Sequence, residues 1–362
     1  MKKAILSLAF CAIATLGFSQ EKSNVPLFSS GYMALPGSIG EFTSAGSANG
    51  QGINHSVFSL NSLTAGNQVT AFSIPQMNGV HGPQAALTRA GVNYSLDEST
   101  AIVASLGYFS AGVVEARDNE GNILGTLNPN EFDVRVGVVK QLAEDFNLGV
   151  RLGYLSTNLG SSMNSATITE SAIMVDFSLD YVIKSTDQFD LKTYWALNNV
   201  GKKSNFSEDN LNYLPAQMAM GVTMDYNLNS DVMVSPQLQL QRFLVPTPPM
   251  YNADGTIFAG QAQNPSFLGS LFTSFNDAPE GTSEEVKEWC PILSVQTTLK
   301  EKILLNVAAS LESQEKGNRQ FVSMGVGYKT AKVDFMAGYI IPMSTTAGFY
   351  DNLAAIGVSY KL

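Results

Sequence analysis

The feature that most constrains this chain is a period of two. Phe146, Leu148, Val150, Leu152 and Tyr154 alternate with Asn147, Gly149, Arg151 and Gly153. Ile173, Val175, Phe177, Leu179 and Tyr181 alternate with Met174, Asp176, Ser178 and Asp180. The pattern recurs in Phe132, Val134, Val136 and Val138 against Asp133 and Arg135, and in Val232, Val234, Leu238 and Leu240 against Ser235, Gln237, Gln239 and Gln241. It closes the chain with Ala354, Ile356, Val358, Tyr360 and Leu362 against Ala355, Gly357, Ser359 and Lys361. Successive side chains point to opposite faces in a strand, so from about residue 85 the chain reads as strands with one apolar face each. The segments run about ten to twelve residues. Ordinary globular strands average about five or six, whereas a tilted strand crossing a bilayer needs about nine to eleven.

The second face decides between a sandwich and a membrane barrel. It mixes Gly, Ser, Asn, Gln, Asp and Arg, while aromatics gather near the ends of the apolar face. A soluble sandwich would carry more Lys, Glu and Thr there, yet only 14% of the residues are charged, against about 25% in an average soluble domain. Short polar breaks fall at 97–99, 143–145, 185–187, 229–230 and 301–302. Longer breaks rich in Gly, Asn or Pro alternate with them at 112–130, 157–169, 201–213, 244–287 and 313–319. Short turns on one side and long loops on the other predict an all-β transmembrane antiparallel barrel of about fourteen strands. The first strand is expected somewhere in Ser56–Ile74.

The N-terminus predicts export. Lys2 and Lys3 precede an apolar core from Ala4 to Leu16, and Gly17, Phe18 and Ser19 set a cleavage point before Gln20. Residues 1–19 are read as a signal peptide and 20–362 as one barrel domain. Gln20 to about Gly52 does not alternate and is rich in Gly, Ser and Ala. Residues 20–55 are therefore expected to form either a leader or an N-terminal luminal plug, for which a fourteen-stranded lumen has room.

Little points to chemistry. The two cysteines, Cys11 and Cys290, cannot make a disulfide framework or a zinc site, and the net charge of −10 argues against nucleic acid. His55 and His81 sit in no metal-ligand spacing, and there is no nucleophile elbow or phosphate-binding loop. Asp133, Asp176 and Asp180 are expected to face the lumen near Arg135 and Arg151. They read either as a general acid–base pair or as a charge ladder lining a polar interior, and the second is what barrel lumens carry as a rule. No enzyme, cofactor or metal is expected; membrane lipids are expected as neighbours.

The longest loop is different. Leu244, Val245, Pro246, Thr247, Pro248 and Pro249 form a stiff, donor-poor opening. Phe267, Leu268, Leu271, Phe272 and Phe275 then recur at helical spacing, Asn276–Pro279 would stop that helix, and an acidic run follows from Glu280 to Glu288. Such a helix either folds back to lid its own barrel or docks a partner. Leu244, Val245, Pro246, Pro248, Pro249, Phe267, Leu271, Phe272 and Phe275 are the candidate partner-binding residues.

This loop carries a resemblance. The run from Leu244 to Pro249, the stretch from Phe272 to Gly281 and the Glu-rich segment ending at Trp289 resemble the PorV family, outer-membrane proteins of the type IX protein secretion system. Ala104–Ser110, Gly125–Pro129, Lys316–Arg319 and Phe321–Tyr328 agree, so the similarity runs from about residue 85 to the C-terminus. It implies a FadL-like barrel that associates with a large translocon barrel. It also implies receipt of secreted cargo proteins by their C-terminal domains and transfer to cell-surface attachment proteins. The family's Trp-Asn-Pro motif is absent, with Ile53–Phe58 in about its place, and Gly40–Gly46 is a loose echo of its Gly-rich stretch. A FadL-like transporter of hydrophobic small molecules is the alternative; Met174, Met233, Leu304 and Met336 are its candidate inward apolar residues.

Overall fold

The computed structural model describes residues 66–362 apart from 78–84, 111, 118–122, 161–167, 204–212, 263–265, 317, 319 and 344–352. Most of the chain is strand: β1 (Gln68–Met77), β2 (Ala85–Asp97), β3 (Thr100–Ser110), β4 (Val114–Arg117), β5 (Ile123–Leu127), β6 (Asn130–Ala143), β7 (Phe146–Gly160), β8 (Ile168–Ser185), β9 (Phe189–Lys203), β10 (Gln217–Asn229), β11 (Val232–Phe243), β12 (Met250–Tyr251), β13 (Ile257–Ala259), β14 (Cys290–Leu299), β15 (Ile303–Ser310), β16 (Phe321–Lys329), β17 (Val333–Pro342) and β18 (Leu353–Lys361). Two short helices, α1 (Phe267–Thr273) and α2 (Thr282–Val286), lie between β13 and β14, and a 3-10 turn spans Gln314–Lys316.

Fourteen strands close into one antiparallel barrel; β4–β5 and β12–β13 are separate hairpins in its loops. Closure pairs β1 with β18, from Gln68 opposite Lys361 to Ser73 opposite Ile356. In hydrocarbon an unpaired strand edge has no water to satisfy it, so only a closed sheet is viable there. The first strand begins inside the expected window but runs past it to Met77. Several strands exceed ten to twelve residues, β8 reaching 18. Pairing therefore continues beyond the apolar segment on the long-loop side, in register to Asn158 opposite Thr169 and then, after a shift, at Gly160 opposite Ile168. The short turn at Thr330–Lys332, beyond those read from the sequence, completes the even count. The expected signal peptide, the plug and both histidines lie outside the described residues.

Burial follows the alternation but inverts the usual protein. Leu152 and Ile173 are 60% and 62% exposed, while Arg135 and Asp176 are 0% and 1% exposed. The exposed outer band has two aromatic levels. Tyr108, Phe132, Tyr154, Trp195 and Tyr339 lie toward the long loops, and Tyr94, Tyr181, Tyr328, Phe335 and Tyr360 toward the short turns. Tyr181 sits opposite Phe146, so the levels are roughly 26 Å apart along β7, or about 20 Å after tilt. That is close to the apolar band of about 25 Å in outer-membrane barrels.

Inside, register and glycine cooperate. Arg89, Gly107 and Asp133 are directly opposite one another on β2, β3 and β6. Arg89 pairs with Asp133 across the glycine at 3.2 Å. A Cβ on Gly107 would stand 2.1 Å from the Asp133 carboxylate. Gly221 likewise lets Tyr194 of β9 reach over β10 to donate to Gln239 of β11 at 2.5 Å. The ladder continues with Arg135 to Asp133 at 3.2 Å and to Asp176 at 2.6 Å, and Arg151 to Asp176 at 2.7 Å. A bulge in β9 sets Asn198 and Asn199 against Asp176. Asn199, at φ 58°, donates its backbone N–H to that carboxylate at 2.7 Å. Asp133, Asp176, Arg135 and Arg151 thus form the expected charge ladder. Asp180 is also buried but joins none of these pairs.

Candidate functional site

The loop between β11 and β14 is built on the end of the β11 wall. Ala219 and Gln217 point inward and lie opposite Gln241 and Phe243, so Phe243 is inward; Arg242, opposite Met218, is on the outward face. The loop holds both sides of this strand end. On the inward side Tyr213 and Val245 form a buried cluster against which Phe243 and Phe267 pack. On the outward side Arg242 is covered by the C-terminal half of the loop and is 3% exposed.

Arg242 is the centre of the anchor. Its Nη2 donates to Glu288 at 2.6 Å, to Glu285 at 3.3 Å and to the Ser274 carbonyl that ends α1. Its guanidinium lies 4.4 Å from the Phe275 ring centroid and 5.5 Å from that of Trp289, a cation–π arrangement. Glu288 also accepts from the Thr247 hydroxyl at 2.8 Å and pairs with Lys316 at 3.3 Å. Glu285 accepts the backbone N–H groups of Asp277 and Ala278 at 2.8 and 2.9 Å, fixing the turn after α1. Lys316 reaches Glu284, and Lys287 pairs with Glu315, so the 3-10 turn between β15 and β16 is tied to α2. The acidic run is therefore largely an internal clamp. Removing one partner from such a buried network costs about 3–5 kcal/mol.

Burial pushes Glu288 up from 4.5 to about 7, against the pull of Arg242, Thr247 and Lys316. Burial likewise pushes Asp277 up from 3.8 to about 6; the Thr247 N–H opposes it and Glu285 reinforces it. Tyr213 is raised to about 12 by burial and by the Asp277 carboxylate.

The Pro-rich opening is mostly interior. Leu244, Val245, Pro246 and Pro249 are buried and Pro248 is exposed. Phe267 and Leu271 are half-buried, and Phe272 and Phe275 are exposed. The loop therefore brings Val245 and Phe267 together at the rim, while Phe272, 78% exposed, stands away from it. Leu268, at 51%, shares the open side of α1 with Phe272. Met250, Tyr251, Ile257 and Phe258 of the β12–β13 hairpin are also exposed. The hairpin is pinned by Gly260, at φ 82°, where a Cβ would meet Pro249, Pro279 and the Asp277 carbonyl at 3.2 Å. Gln261 donates to the Asn276 carbonyl at 2.5 Å. Sequence reading missed Arg242 and Lys316 as anchors; the signal available was a lone arginine breaking the Gln run of β11 just before the prolines. It also missed the inward apolar side chains Phe72, Ile74, Leu87, Phe109, Ile292, Phe321, Ile340 and Leu353, all buried at the long-loop end.

Comparison with solved structures finds barrels of low identity. The Ralstonia pickettii toluene transporter TbuX matches with TM-score 0.46 and 11% identity, over 83% of this chain and 91% of that one. The Pseudomonas putida toluene transporter TodX gives 0.45 and 12%, over 96% and 99%. A Pseudomonas aeruginosa FadL homologue gives 0.43 and 11%, over 95% and 99%. Comparison with curated proteins finds no match. The family described as type IX secretion system protein PorV matches residues 51–250, from ahead of β1 through the Pro-rich opening of the long loop. With more than half of its length matched, the chain belongs to the PorV family of type IX secretion system proteins.

Proposed function

We infer that this barrel is an outer-membrane component of the type IX system that binds the translocon and receives cargo carrying a C-terminal secretion signal. The family match supports the system. The observation that carries the binding role is the exposed apolar face of α1 held on a charged clamp. A solvent-facing Phe272 beside Leu268, on a loop fixed by Arg242, is preorganised for a protein partner. A buried aromatic anchor typically contributes about 2 kcal/mol to an interface. The double change Leu268→Ser with Phe272→Ser is expected to reduce co-purification of the translocon or cargo by at least about 30-fold, with the barrel still folded by its heat-dependent gel mobility. Undiminished co-purification would remove this face from the docking role.

Transport of hydrophobic small molecules is a second reading, favoured by the inward apolar side chains from Phe72 to Leu353 at the long-loop end. It is supported if the purified barrel carries a stoichiometric apolar molecule on solvent extraction, and it fails if no such molecule is found.

A further inference from the structure

The short-turn rim carries a pocket of about 660 Å³ whose lining includes Asp231, Val232, Lys300, Lys302, Ile303 and Tyr328. We propose that it binds an anionic phospholipid, with Lys300 and Lys302 on the phosphate and an acyl chain along Val232, Ile303 and Tyr328.

Three observations converge. The first is the turn. Lys300 and Glu301 both adopt left-handed backbone, φ 49° and 56°, and Lys302 N–H closes the turn on the Leu299 carbonyl at 3.0 Å. This is the two-residue hairpin turn that normally favours Asn-Gly. Here it sets two lysines on the walls of one pocket, separated by a single residue. The second is the floor. Lys300 N–H donates to the Asp231 carbonyl at 2.6 Å, and Lys329 N–H donates to the Lys302 carbonyl at 2.8 Å. The β10–β11 turn, the β14–β15 turn and the end of β16 are thereby stitched into one wall. The third is position. Tyr328 belongs to the short-turn aromatic level, and Ile303 beside it is exposed to the lipid band. Lysine ammoniums on an apolar wall at the membrane boundary match a negative headgroup above an acyl chain. Among the described residues that line the pocket, Asp231 is the one carboxylate set against the two lysines. The short turns of such barrels face the periplasm, so the ligand belongs to the inner, phospholipid leaflet.

The test uses the full chain in detergent, delipidated and mixed with phosphatidylglycerol or phosphatidylcholine, with bound lipid counted by native mass spectrometry. The wild type is expected to retain phosphatidylglycerol at least five-fold over phosphatidylcholine. Lys300→Gln with Lys302→Gln is expected to weaken that retention roughly 25-fold, about five-fold per lysine. Lys332→Gln, on the neighbouring turn outside the pocket, is the control and should leave it unchanged. A second variant, Lys300→Asn with Glu301→Gly and Lys302→Gln, gives the turn its favoured residues and so separates lost binding from lost folding. Equal retention of the two lipids by the wild type overturns the proposal. So does a preference that survives the double change, or displacement of the bound lipid by inorganic phosphate, which would assign the pocket to a free anion.

Discussion

At the residue scale the interior depends on which side chains are missing. Arg89 and Asp133 meet across β3 only because residue 107 has no Cβ. Gly107→Ala is expected to break a buried pair and destabilise the barrel by about 3–5 kcal/mol. Gly255→Ala, at φ 83° with nothing within 4 Å, should cost only about 1–2 kcal/mol for its backbone. Urea unfolding of the two variants in the same lipid checks the contrast; equal losses would show that the ladder contributes no stability of its own. The charged members of this ladder were legible, because alternation alone puts Asp133, Arg135, Arg151 and Asp176 on one face. Their pairing was not, since it depends on which residues stand opposite across three strands, and a single strand's pattern says nothing about register. Nothing in the sequence alone marks Gly107 as the gap through which that pair meets.

At the element scale the long loop is a clamp with an open side. Helical spacing revealed α1 to within a residue or two, since Phe267, Leu271 and Phe275 mark one face of a helix in any context. The acidic run revealed less. Its partners Arg242 and Lys316 come from other parts of the chain, so Glu284, Glu285 and Glu288 showed in the sequence only as part of an acidic run. The clamp has a pH dependence with a defined sign. Glu288 and Asp277 have raised values when packed, about 7 and about 6. Between their ordinary values and these, the packed loop holds more protons than a released one. The contribution of these two carboxylates is thus fully present below about pH 4 and weakens as pH rises from about 4 to 7, by roughly 3 kcal/mol for Glu288. Glu284, which burial raises but Lys316 holds low overall, works the other way and loses its contribution as pH falls through its ordinary range. Trp289 emission in a Trp195→Phe background should report a loosening loop over that range, flattened by Glu288→Gln. Tightening on raising the pH would show that pairing with Arg242 outweighs the burial of Glu288.

At the scale of the whole molecule, the fourteen-stranded closed barrel was readable because three signals agreed: period-two segments, their bilayer-matching length, and alternating short and long breaks. The register of the closing pair, β1 with β18, was not readable. The first strand carries a weaker pattern, and its partner is the last element of the chain. The barrel fixes where the loop stands. It holds the clamp on the long-loop rim, beyond the aromatic level marked by Trp195, whose partner Met220 lies opposite Leu240, two residues before Arg242. The apolar side of α1 therefore rises from a rigid wall rather than from a free tether. A photo-cross-linking residue placed at Phe272 in living cells tests this account most directly. The expected product joins this chain to a much larger barrel or to secreted proteins sharing a C-terminal domain, and Arg242→Ala should diminish it by releasing the clamp. Cross-links to lipid alone, or a yield indifferent to Arg242, would contradict the claim that an anchored loop presents this face to the secretion machinery.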